Sequence, residues 1–243
     1  MIISKQNSLI KEIRSLLNKK YRDSLGRYVV EGAKMVNEAF ALGQKVLTVV
    51  CTEKCLNLLA VTGVEVTLVS DDVYNSISDE KSPQGALAVI EKPSFQTPNE
   101  KSCVMLDGVS DPGNMGTIIR TMACAGYRDL YISDDCADPF SPKAVRSSMS
   151  GIYHVNVIRK SRQELVNDIK FPLIVADMHG ENVFDRKIDG EFCLVIGNEA
   201  RGISDFIREK ASLTVKIPMQ EGMESLNAGV SAGILMYALK NSR

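Results

Sequence analysis

Three polar, glycine-containing stretches of the sequence carry residue types that could perform chemistry. They are DGVSDPGNMGTIIR (107–120), GNEARGIS (197–204) and IPMQEGMESLN (217–227). The amide of Asn114, the guanidinium of Arg120 and the carboxylate of Glu199 could orient a hydroxyl group or stabilise charge that develops during a reaction. The second stretch has the glycine spacing of a phosphate-binding loop, G-x-x-x-x-G-K-[ST], but Ile203 occupies the lysine position. It therefore lacks the ammonium group that would reach a phosphate chain.

Several other catalytic patterns are missing from the sequence. No G-x-G occurs, which disfavours a dinucleotide site, and neither His154 nor His179 lies in the three stretches. Six scattered cysteines, mostly within apolar runs, are interpreted as buried thiols. Cys51 and Cys55 form a lone C-x3-C, which is weak evidence for a metal. Hydride transfer, hydrolysis and zinc chemistry are therefore disfavoured, and we expect no metal.

Each of the three stretches follows an apolar run that predicts a strand, at 103–107, 192–196 and 213–217. Helices are predicted between such runs, among them Asn114–Ala125 and a terminal helix from about Leu226 to Lys240. Apolar strands that alternate with helices predict a mainly parallel sheet covered on both faces. Ligands in such folds bind at the carboxyl ends of the strands, which is where the three stretches lie.

The first 90 residues predict a separate α/β unit. Ile10, Ile13 and Leu16 recur at helical spacing, which predicts one amphipathic helix over about residues 7–19. The runs RYVVEG, KVLTVVC, VEVTLVS and GALAVIEK predict strands, with helical segments between them. KPSFQTPNEKS, which holds two prolines and few apolar residues, predicts a linker. We expect an N-terminal domain at 1–95 and a second domain at 96–243.

The charge of the chain is unevenly distributed. The net charge is −1, yet residues 1–34 hold eight Lys/Arg against three acidic residues. This surplus fits a segment that meets a polyanion and fits a solvated helix face equally well. No apolar run approaches the roughly 20 residues that cross a bilayer, and the N-terminus becomes polar too soon for a signal peptide. We expect a cytoplasmic protein with no membrane partner.

The motifs Asp111–Arg120, Gly197–Ser204 and Ile217–Met219, followed by Glu224–Asn227, resemble the SpoU (TrmH-type) RNA ribose 2′-O-methyltransferases of the knotted SPOUT class. The front of the chain, from NSLIKEIRS to PQGALAV, resembles their small ribosomal-protein-like substrate-binding domain. The resemblance covers nearly the whole chain. It implies an α/β fold in which a small N-terminal α/β RNA-binding domain precedes a mainly parallel-sheet domain with a C-terminal trefoil knot. The knot is implied by the resemblance alone, because threaded chains are rare.

The resemblance also implies roles for particular residues. Contacts to the cofactor S-adenosylmethionine fall at Gly197, Ile217, Met219 and Leu226. The catalytic candidates are Arg120, Asn114, Glu199, Ser225 and Asn227. Because arginine stays protonated in proteins, Arg120 is expected to orient the ribose or a phosphate, or to stabilise an alkoxide, rather than to act as a free base. Helix capping is an alternative role for Asn114, Ser225 and Asn227, and an exposed carboxylate is the alternative for Glu199.

In the N-terminal unit, six residues are candidates to face RNA phosphate and ribose: Asn7, Lys11, Arg14, Lys19, Lys20 and Arg22. The predicted activity is S-adenosylmethionine-dependent 2′-O-methylation of structured RNA by a homodimer, with ribosomal RNA favoured over tRNA. Three alternatives stay open. They are a non-catalytic RNA-binding protein on the same fold, an ordinary nucleotide-utilising enzyme, and a SPOUT enzyme that methylates a base.

Overall fold

The computed structural model describes residues 1–94, 96–223 and 225–241, except for the side chain of residue 241. Two compact units emerge from the contacts within the chain. The first combines residues 1–94 with the segment Asp138–Tyr153, and the second combines residues 96–137 with 154–241. The first unit is therefore assembled from two separate stretches of sequence. Across the described ranges, no helix is long and apolar enough to cross a membrane.

In the described residues the strands are β1 Arg27–Glu31, β2 Val46–Cys51, β3 Val66–Leu68, β4 Ala86–Glu91, β5 Cys103–Asp107, β6 Asp129–Ser133, β7 Asn156–Lys160, β8 Leu173–Asn182, β9 Cys193–Gly197 and β10 Ala211–Lys216. The α-helices are α1 Ser8–Ser15, α2 Lys19–Leu25, α3 Ala33–Ala41, α4 Asp71–Asn75, α5 Pro112–Ala125, α6 Pro142–Ser148, α7 Arg162–Asp168, α8 Asp205–Arg208 and α9 Ala228–Asn241. Short 3-10 segments lie at Glu53–Leu58, Met149–Tyr153 and Val183–Asp185.

The start of the first unit differs from the single helix predicted over residues 7–19. The side chain of Asn7 caps α1 by accepting a hydrogen bond from the Leu9 N–H, and α1 ends at Ser15. Asn18 then accepts from the Lys20 N–H and begins α2. The prediction of one continuous helix is wrong because asparagine, which favours the cap position, starts a second helix at this point.

The first unit contains a four-stranded sheet in the order β1-β4-β2-β3. Among the strand pairs of this sheet that the structure describes, β2–β3 is parallel and the other two are antiparallel. The segment Asp138–Tyr153 packs on this sheet, where the rings of Tyr28 and Phe140 lie 5.0 Å apart and Val145 joins the buried cluster. The Tyr153 hydroxyl donates to the Met35 carbonyl at 3.1 Å. These contacts explain why this segment groups with the N-terminal residues.

The second unit contains a six-stranded sheet in the order β10-β8-β9-β5-β6-β7, and every neighbouring pair is parallel. This confirms the predicted parallel sheet. Helices α5 and α9 lie side by side and run in the same direction. Near their starts Asn227 donates to Asn114 at 2.8 Å, and near their ends the Lys240 ammonium donates to the Ala125 carbonyl at 2.5 Å. The two motif-bearing helices therefore begin next to each other.

The apolar run PLIVADM (172–178) predicts a strand that ends at Met178, but β8 continues to Asn182, and its pairing with β10 changes register. Thr214 pairs with Val175, whereas the next residue, Val215, pairs with Glu181. The residues between Val175 and Glu181 consequently leave the ladder. The backbone approach is close here, since a Cβ on Gly180 would lie 2.6 Å from backbone atoms of Val215. Glycine is therefore required at this point of the sheet.

Candidate active site

The carboxyl ends of β9 and β10, the middle of β8 and the start of α9 surround a cavity of about 640 Å³. This volume lies within the range of small-molecule and cofactor sites, roughly 300–1,000 Å³. The lining includes parts of two of the three sequence motifs: Gly197, Asn198, Glu199, Ala200, Arg201, Gly202, Ile217, Met219, Ser225, Leu226 and Asn227. Residues 176–179, where β8 leaves its ladder, form another part of the wall.

The four predicted cofactor contacts all lie on the wall of this cavity. Gly197, Ile217, Met219 and Leu226 come from two segments of the chain that the parallel sheet brings to one edge. Met219 is 37% exposed and Leu226 is 39% exposed, so both offer apolar surface for a ring to pack against. The wall thus combines exposed backbone with apolar side chains, which suits an adenosine group that carries no phosphate chain.

Gly197 ends β9 at a point where two segments of backbone touch. A Cβ on this residue would lie 2.4 Å from the carbonyl carbon of Gly202 and 2.6 Å from the nitrogen of Ile203. Asn198 and Gly202 exchange two backbone hydrogen bonds of 2.9 Å, which close the loop on itself. No other residue could replace Gly197 without opening this loop.

Three catalytic candidates meet in one hydrogen-bond network. Asn114 donates from Nδ2 to Oε1 of Glu199 at 2.9 Å, and its Oδ1 accepts from Nδ2 of Asn227 at 2.8 Å. The Asn114 backbone N–H in turn donates to Asp111, the cap of α5. Because residues 114, 199 and 227 belong to different motifs, this network joins all three. It also fixes the side-chain amide of Asn114, which is 8% exposed.

Glu199 is held as a carboxylate. One oxygen accepts from the Ser110 N–H and hydroxyl at 3.2 Å, and the other accepts from the Asp111 N–H at 3.3 Å as well as from Asn114. Burial raises the pKa of Glu199, but the hydrogen bonds from Asn114 and from the backbone outweigh it, so the pKa lies below the ordinary value of 4.5. At neutral pH the group is an acceptor only, which excludes a role as proton donor.

Two further candidates have different surroundings. Ser225 is exposed and lines the cavity. Arg120 is exposed on α5, six residues beyond Asn114, and lies outside the cavity wall; within the described ranges it has no hydrogen bond or ion pair. Its guanidinium is therefore available to a ligand. Glu224 of the third motif lies outside the described residues.

The structure reveals a polar network below the loops that the motif analysis missed. Asp107 ends β5 with a fully buried side chain, which accepts from Arg162 Nε at 2.5 Å and from the Ser204 N–H and hydroxyl at 2.7 Å. Arg162 also donates to Asp135, which follows β6. The network cross-links the ends of neighbouring strands and ties Ser204 to β5. An acidic residue at the end of the apolar run CVMLD was the available signal.

The pKa values of two members of this network follow from their contacts. Burial raises the pKa of Asp135, yet the hydrogen bonds from Ser133 and Arg162 outweigh it, so the pKa is lowered. Burial by itself would lower the pKa of Arg162, but its hydrogen bonds to Asp135 and Asp107 outweigh burial, so the pKa is raised. Both groups are therefore charged at neutral pH.

The cavity wall also carries an ion pair that sequence analysis missed. Arg208 at the end of α8 donates to Asp177 Oδ2 at 2.5 Å, and the His179 N–H donates to Asp177 Oδ1 at 3.0 Å. Burial raises the pKa of Asp177, but these two donors outweigh it and the pKa is lowered. In the described parts of the chain no group of three or more His, Cys, Asp and Glu could hold a metal ion.

The candidates for RNA contact in the first unit have several environments. Arg14 donates to the carbonyl and hydroxyl of Ser76 at 3.0 and 2.7 Å, and Lys19 pairs with Asp23 at 3.0 Å. Lys11 and Lys20 are exposed, and within the described ranges neither has an ion pair. Asn7 is the cap of α1. The availability of these side chains to a ligand is therefore unequal.

Arg22 does not have the environment expected of an RNA-facing residue. It is 3% exposed, and its guanidinium donates to Asp138 at 2.7 and 3.0 Å and to the carbonyls of Leu16 and Leu17. A buried arginine with these bonds holds the α1–α2 turn to the Asp138–Tyr153 segment. The charge count could not distinguish this role, because it records how many cations are present and not where they lie.

Comparison with known proteins identifies the class to which this arrangement belongs. The profile of the SpoU rRNA Methylase family matches residues 101–237, which is more than half of the chain. The profile of the MRM3-like substrate binding domain matches residues 7–88. The chain therefore belongs to the SpoU rRNA methylase family and carries a substrate-binding domain of the MRM3-like type.

Particular relatives resemble the chain along its whole length. It is 29% identical to 23S rRNA (guanosine(2553)-2′-O)-methyltransferase RlmP of Bacillus subtilis over 98% of both chains. It is 27% identical to 23S rRNA (uridine(2479)-2′-O)-methyltransferase of Streptomyces viridochromogenes, over 99% of this chain and 92% of the other. The AdoMet-bound rRNA methyltransferase from Sinorhizobium meliloti has a similar structure, with a TM-score of 0.88, 27% identity, and coverage of 99% and 97%.

Proposed function

We propose that this protein transfers a methyl group from S-adenosylmethionine to a ribose 2′-hydroxyl of ribosomal RNA. The observation that carries the proposal is the network of Asn114, Glu199 and Asn227 beside the cavity lined by Gly197, Ile217 and Leu226. It places polar groups from three motifs next to a wall suited to adenosine. Membership of the SpoU rRNA methylase family and whole-length similarity to ribosomal RNA 2′-O-methyltransferases support the same activity.

The chain would hold the cofactor through Gly197, Ile217, Met219 and Leu226. When bound, S-adenosylmethionine supplies an electrophilic methyl group. Methyl transfer to a hydroxyl is an in-line displacement, so O2′ must be held in attack geometry and its proton must find an acceptor. The residues of the chain therefore have to orient the ribose and stabilise the oxygen as negative charge develops on it.

Arg120 is assigned the principal catalytic role, because its exposed guanidinium has no described partner and stays charged. It would orient the ribose or a flanking phosphate and stabilise the developing alkoxide. Glu199, held as a carboxylate, would keep Asn114 in place and could accept from a substrate hydroxyl. Asn227 caps α9, since its Oδ1 accepts from the Gly229 N–H at 2.9 Å, and Ser225 would act near the methyl group or the substrate.

The first unit is assigned to RNA docking through its basic helices. Lys11 and Lys20, both exposed, are the leading contacts, with Asn7, Arg14 and Lys19 as further candidates. Contacts to phosphate and ribose give affinity without base identity. In this assignment the substrate-binding domain spans about residues 1–95 and the methyltransferase domain about 96–243. The enzyme is assigned to the cytoplasm as part of the same proposal.

Two architectural features are part of the proposal. The residues from β9 to α9 form a trefoil knot, an assignment supported by membership of the family. A homodimer completes the site, with α9 partly at its interface. Val230 and Tyr237 on α9 are 49% and 45% exposed, which supports an apolar contact there. A monomer with full activity at micromolar concentration would contradict the dimer.

The test is transfer of labelled methyl from S-adenosylmethionine to protein-free ribosomal RNA from a strain deleted for the gene, followed by digestion to nucleosides. We expect label in one 2′-O-methylnucleoside. Arg120→Ala should lower the rate by about 10³-fold, because a charged group that stabilises the transition state is lost. Its binding of S-adenosylhomocysteine should be unchanged. Arg128→Ala, at another arginine of the same unit, is the matched control and should retain activity.

Each alternative predicts a different pattern of label. Label in a methylated base would indicate a base-modifying enzyme, and label in tRNA alone would show that tRNA is the substrate. RNA binding without any label on ribosomal RNA, tRNA or ribosomal subunits would support a non-catalytic RNA-binding protein. Activity of Arg120→Ala equal to that of the unaltered protein would remove Arg120 from the catalytic set.

A further inference from the structure

The cavity wall contains charged groups that the contacts to adenosine do not use. Within the described lining, the charged side chains other than Glu199 are Asp177, Arg201, Arg208 and Lys216. Glu199 is already engaged by Asn114, Ser110 and Asp111. The remaining groups need an explanation, because a neutral adenosine held by backbone and apolar side chains does not require them.

The described wall contains one ion pair, between Asp177 and Arg208. Asp177 lies where β8 leaves its ladder, and Arg208 lies at the end of α8. Their N···O distance is 2.5 Å. Asp177 is the more buried partner, with a side chain 12% exposed, whereas the Arg208 side chain is 45% exposed. The His179 N–H holds the other carboxylate oxygen of Asp177. Asp177 is therefore held in place, whereas Arg208 is open to the cavity.

This geometry leaves hydrogen-bonding capacity on both partners. A guanidinium has five N–H donors, and Arg208 uses one on Asp177 and directs another at the Ile203 carbonyl at 3.5 Å. A carboxylate has about four acceptor positions, and Asp177 uses two. The wall thus presents a positive group beside a negative group, each with spare capacity. The complementary ligand carries an anion next to a cation, as in the α-carboxylate and α-ammonium of an amino acid.

We propose that Arg208 and Asp177 form the subsite for the amino-acid moiety of the cofactor, with Arg208 binding its carboxylate and Asp177 its ammonium group. The inference rests on the proposed function, which supplies the cofactor. It adds a specificity determinant, because nucleosides that lack the amino-acid moiety cannot use the pair. Arg201 and Lys216 are exposed cations on the same wall that have no ion pair among the described residues, and they serve as matched controls.

The experiment measures ligand affinity by calorimetry and needs no RNA. Three probes differ only at the amino-acid end: S-adenosylhomocysteine, its decarboxylated analogue, and 5′-methylthioadenosine, which lacks the amino-acid end entirely. The unaltered protein is expected to bind S-adenosylhomocysteine at least tenfold more tightly than 5′-methylthioadenosine, as charge-assisted hydrogen bonds would give. Arg208→Gln should weaken S-adenosylhomocysteine roughly tenfold and leave 5′-methylthioadenosine within about twofold.

The second variant tests the ammonium contact. Asp177→Asn should weaken the decarboxylated analogue, which retains the ammonium group, and should leave 5′-methylthioadenosine unaffected. Arg208→Gln should not weaken the decarboxylated analogue, because that probe has no carboxylate. Arg201→Gln and Lys216→Gln should bind all three probes like the unaltered protein. Since 5′-methylthioadenosine binding reports an intact adenosine site, it also shows that each variant is folded.

Four outcomes would overturn the inference. Equal weakening of S-adenosylhomocysteine and 5′-methylthioadenosine by Arg208→Gln would mean that the pair only shapes the wall. Selective weakening by Arg201→Gln or Lys216→Gln instead would locate the carboxylate elsewhere. Equal affinity of the unaltered protein for both probes would exclude an amino-acid subsite while leaving the adenosine site intact. Failure of the unaltered protein to bind either probe would overturn the proposed function as well.

Discussion

The polar residues of the two units are used in different ways. In the second unit, side chains from distant motifs bond to one another, as Asn114 does to Glu199 and Asn227, and the latter two line a cavity. In the first unit, candidate RNA contacts are largely engaged within the unit, as Arg22 is with Asp138. Motif spacing therefore indicated grouped residues in the second unit, whereas a surplus of charge in the first did not indicate which charges are available.

This difference follows from what each pattern records. A motif that follows a strand places its residues at the carboxyl edge of a parallel sheet, and neighbouring strands bring such edges together. A count of lysines and arginines contains no positional information beyond the segment in which they lie. A cation in an amphipathic helix can face solvent, pair with a neighbouring acid or be buried by a later segment of chain.

The largest effect expected from this comparison is a loss of folding stability when Arg22 is replaced. Arg22→Met leaves the nearly buried carboxylate of Asp138 without its cation, and breaking such a pair should lower the free energy of unfolding by about 3 kcal/mol. Urea unfolding followed by circular dichroism measures this change. The salt dependence of RNA binding should be unaltered, because Arg22 is not available to phosphate.

Lys19→Met is the matched control for Arg22→Met. Its partner Asp23 is exposed, so loss of the pair should change the free energy of unfolding by no more than about 0.5 kcal/mol. If the two variants change the free energy of unfolding equally, Arg22 has no special structural role. A weaker salt dependence of RNA binding in Arg22→Met would indicate that Arg22 contacts RNA.

A smaller effect is expected at Glu199 in the second unit. In Glu199→Gln, one carboxylate oxygen becomes an NH₂ group that faces N–H donors of the network, so we expect the single-turnover methylation rate to fall by roughly 10- to 100-fold. Because the pKa of Glu199 is lowered from its ordinary value of 4.5, the carboxylate is ionised throughout the neutral range. The ratio of variant to unaltered rates should therefore be constant from about pH 6 to pH 9.

The same lowered pKa sets the direction of an effect on stability. The ionised network of Glu199 stabilises the folded protein above the ordinary glutamate pKa, and this contribution is lost as the pH falls through the lowered value. Glu199→Gln should therefore be less sensitive to acid than the unaltered protein. Glu209→Gln, at an exposed carboxylate outside the cavity wall, is the control. An unchanged rate in Glu199→Gln would show that the charge is dispensable.

The smallest effects are expected at the exposed lysines of the first unit. Lys11→Ala and Lys20→Ala should each weaken RNA binding a few-fold and reduce the slope of log K against log salt by roughly one. Fluorescence anisotropy over a salt series measures both quantities. Lys54→Ala, whose lysine is paired with Asp71, should have less effect. If Lys54→Ala weakens RNA binding as much as the other two variants, the absence of an ion pair does not determine which lysines bind RNA.

The sequence was sufficient to predict the parallel sheet and to group the motif residues, but it was less informative about boundaries. The helix over residues 7–19 was wrong because Asn18 begins a new helix there. The extension of β8 to Asn182 was missed because its residues 176–182 are half-buried or exposed and carry no strand periodicity. Asp107 and Arg162 were missed as a pair because they lie 55 residues apart.

By itself, the sequence determined the alternation of apolar strands and helices and the order of the three motifs, because periodicity and turn residues act locally along the chain. Only the tertiary structure decided which polar groups meet. It joined Asn114 to Asn227 across 113 residues, buried Arg22 against Asp138, and set Arg208 beside Asp177 on the cavity wall. Such pairs depend on how distant segments pack, and no local pattern records that packing.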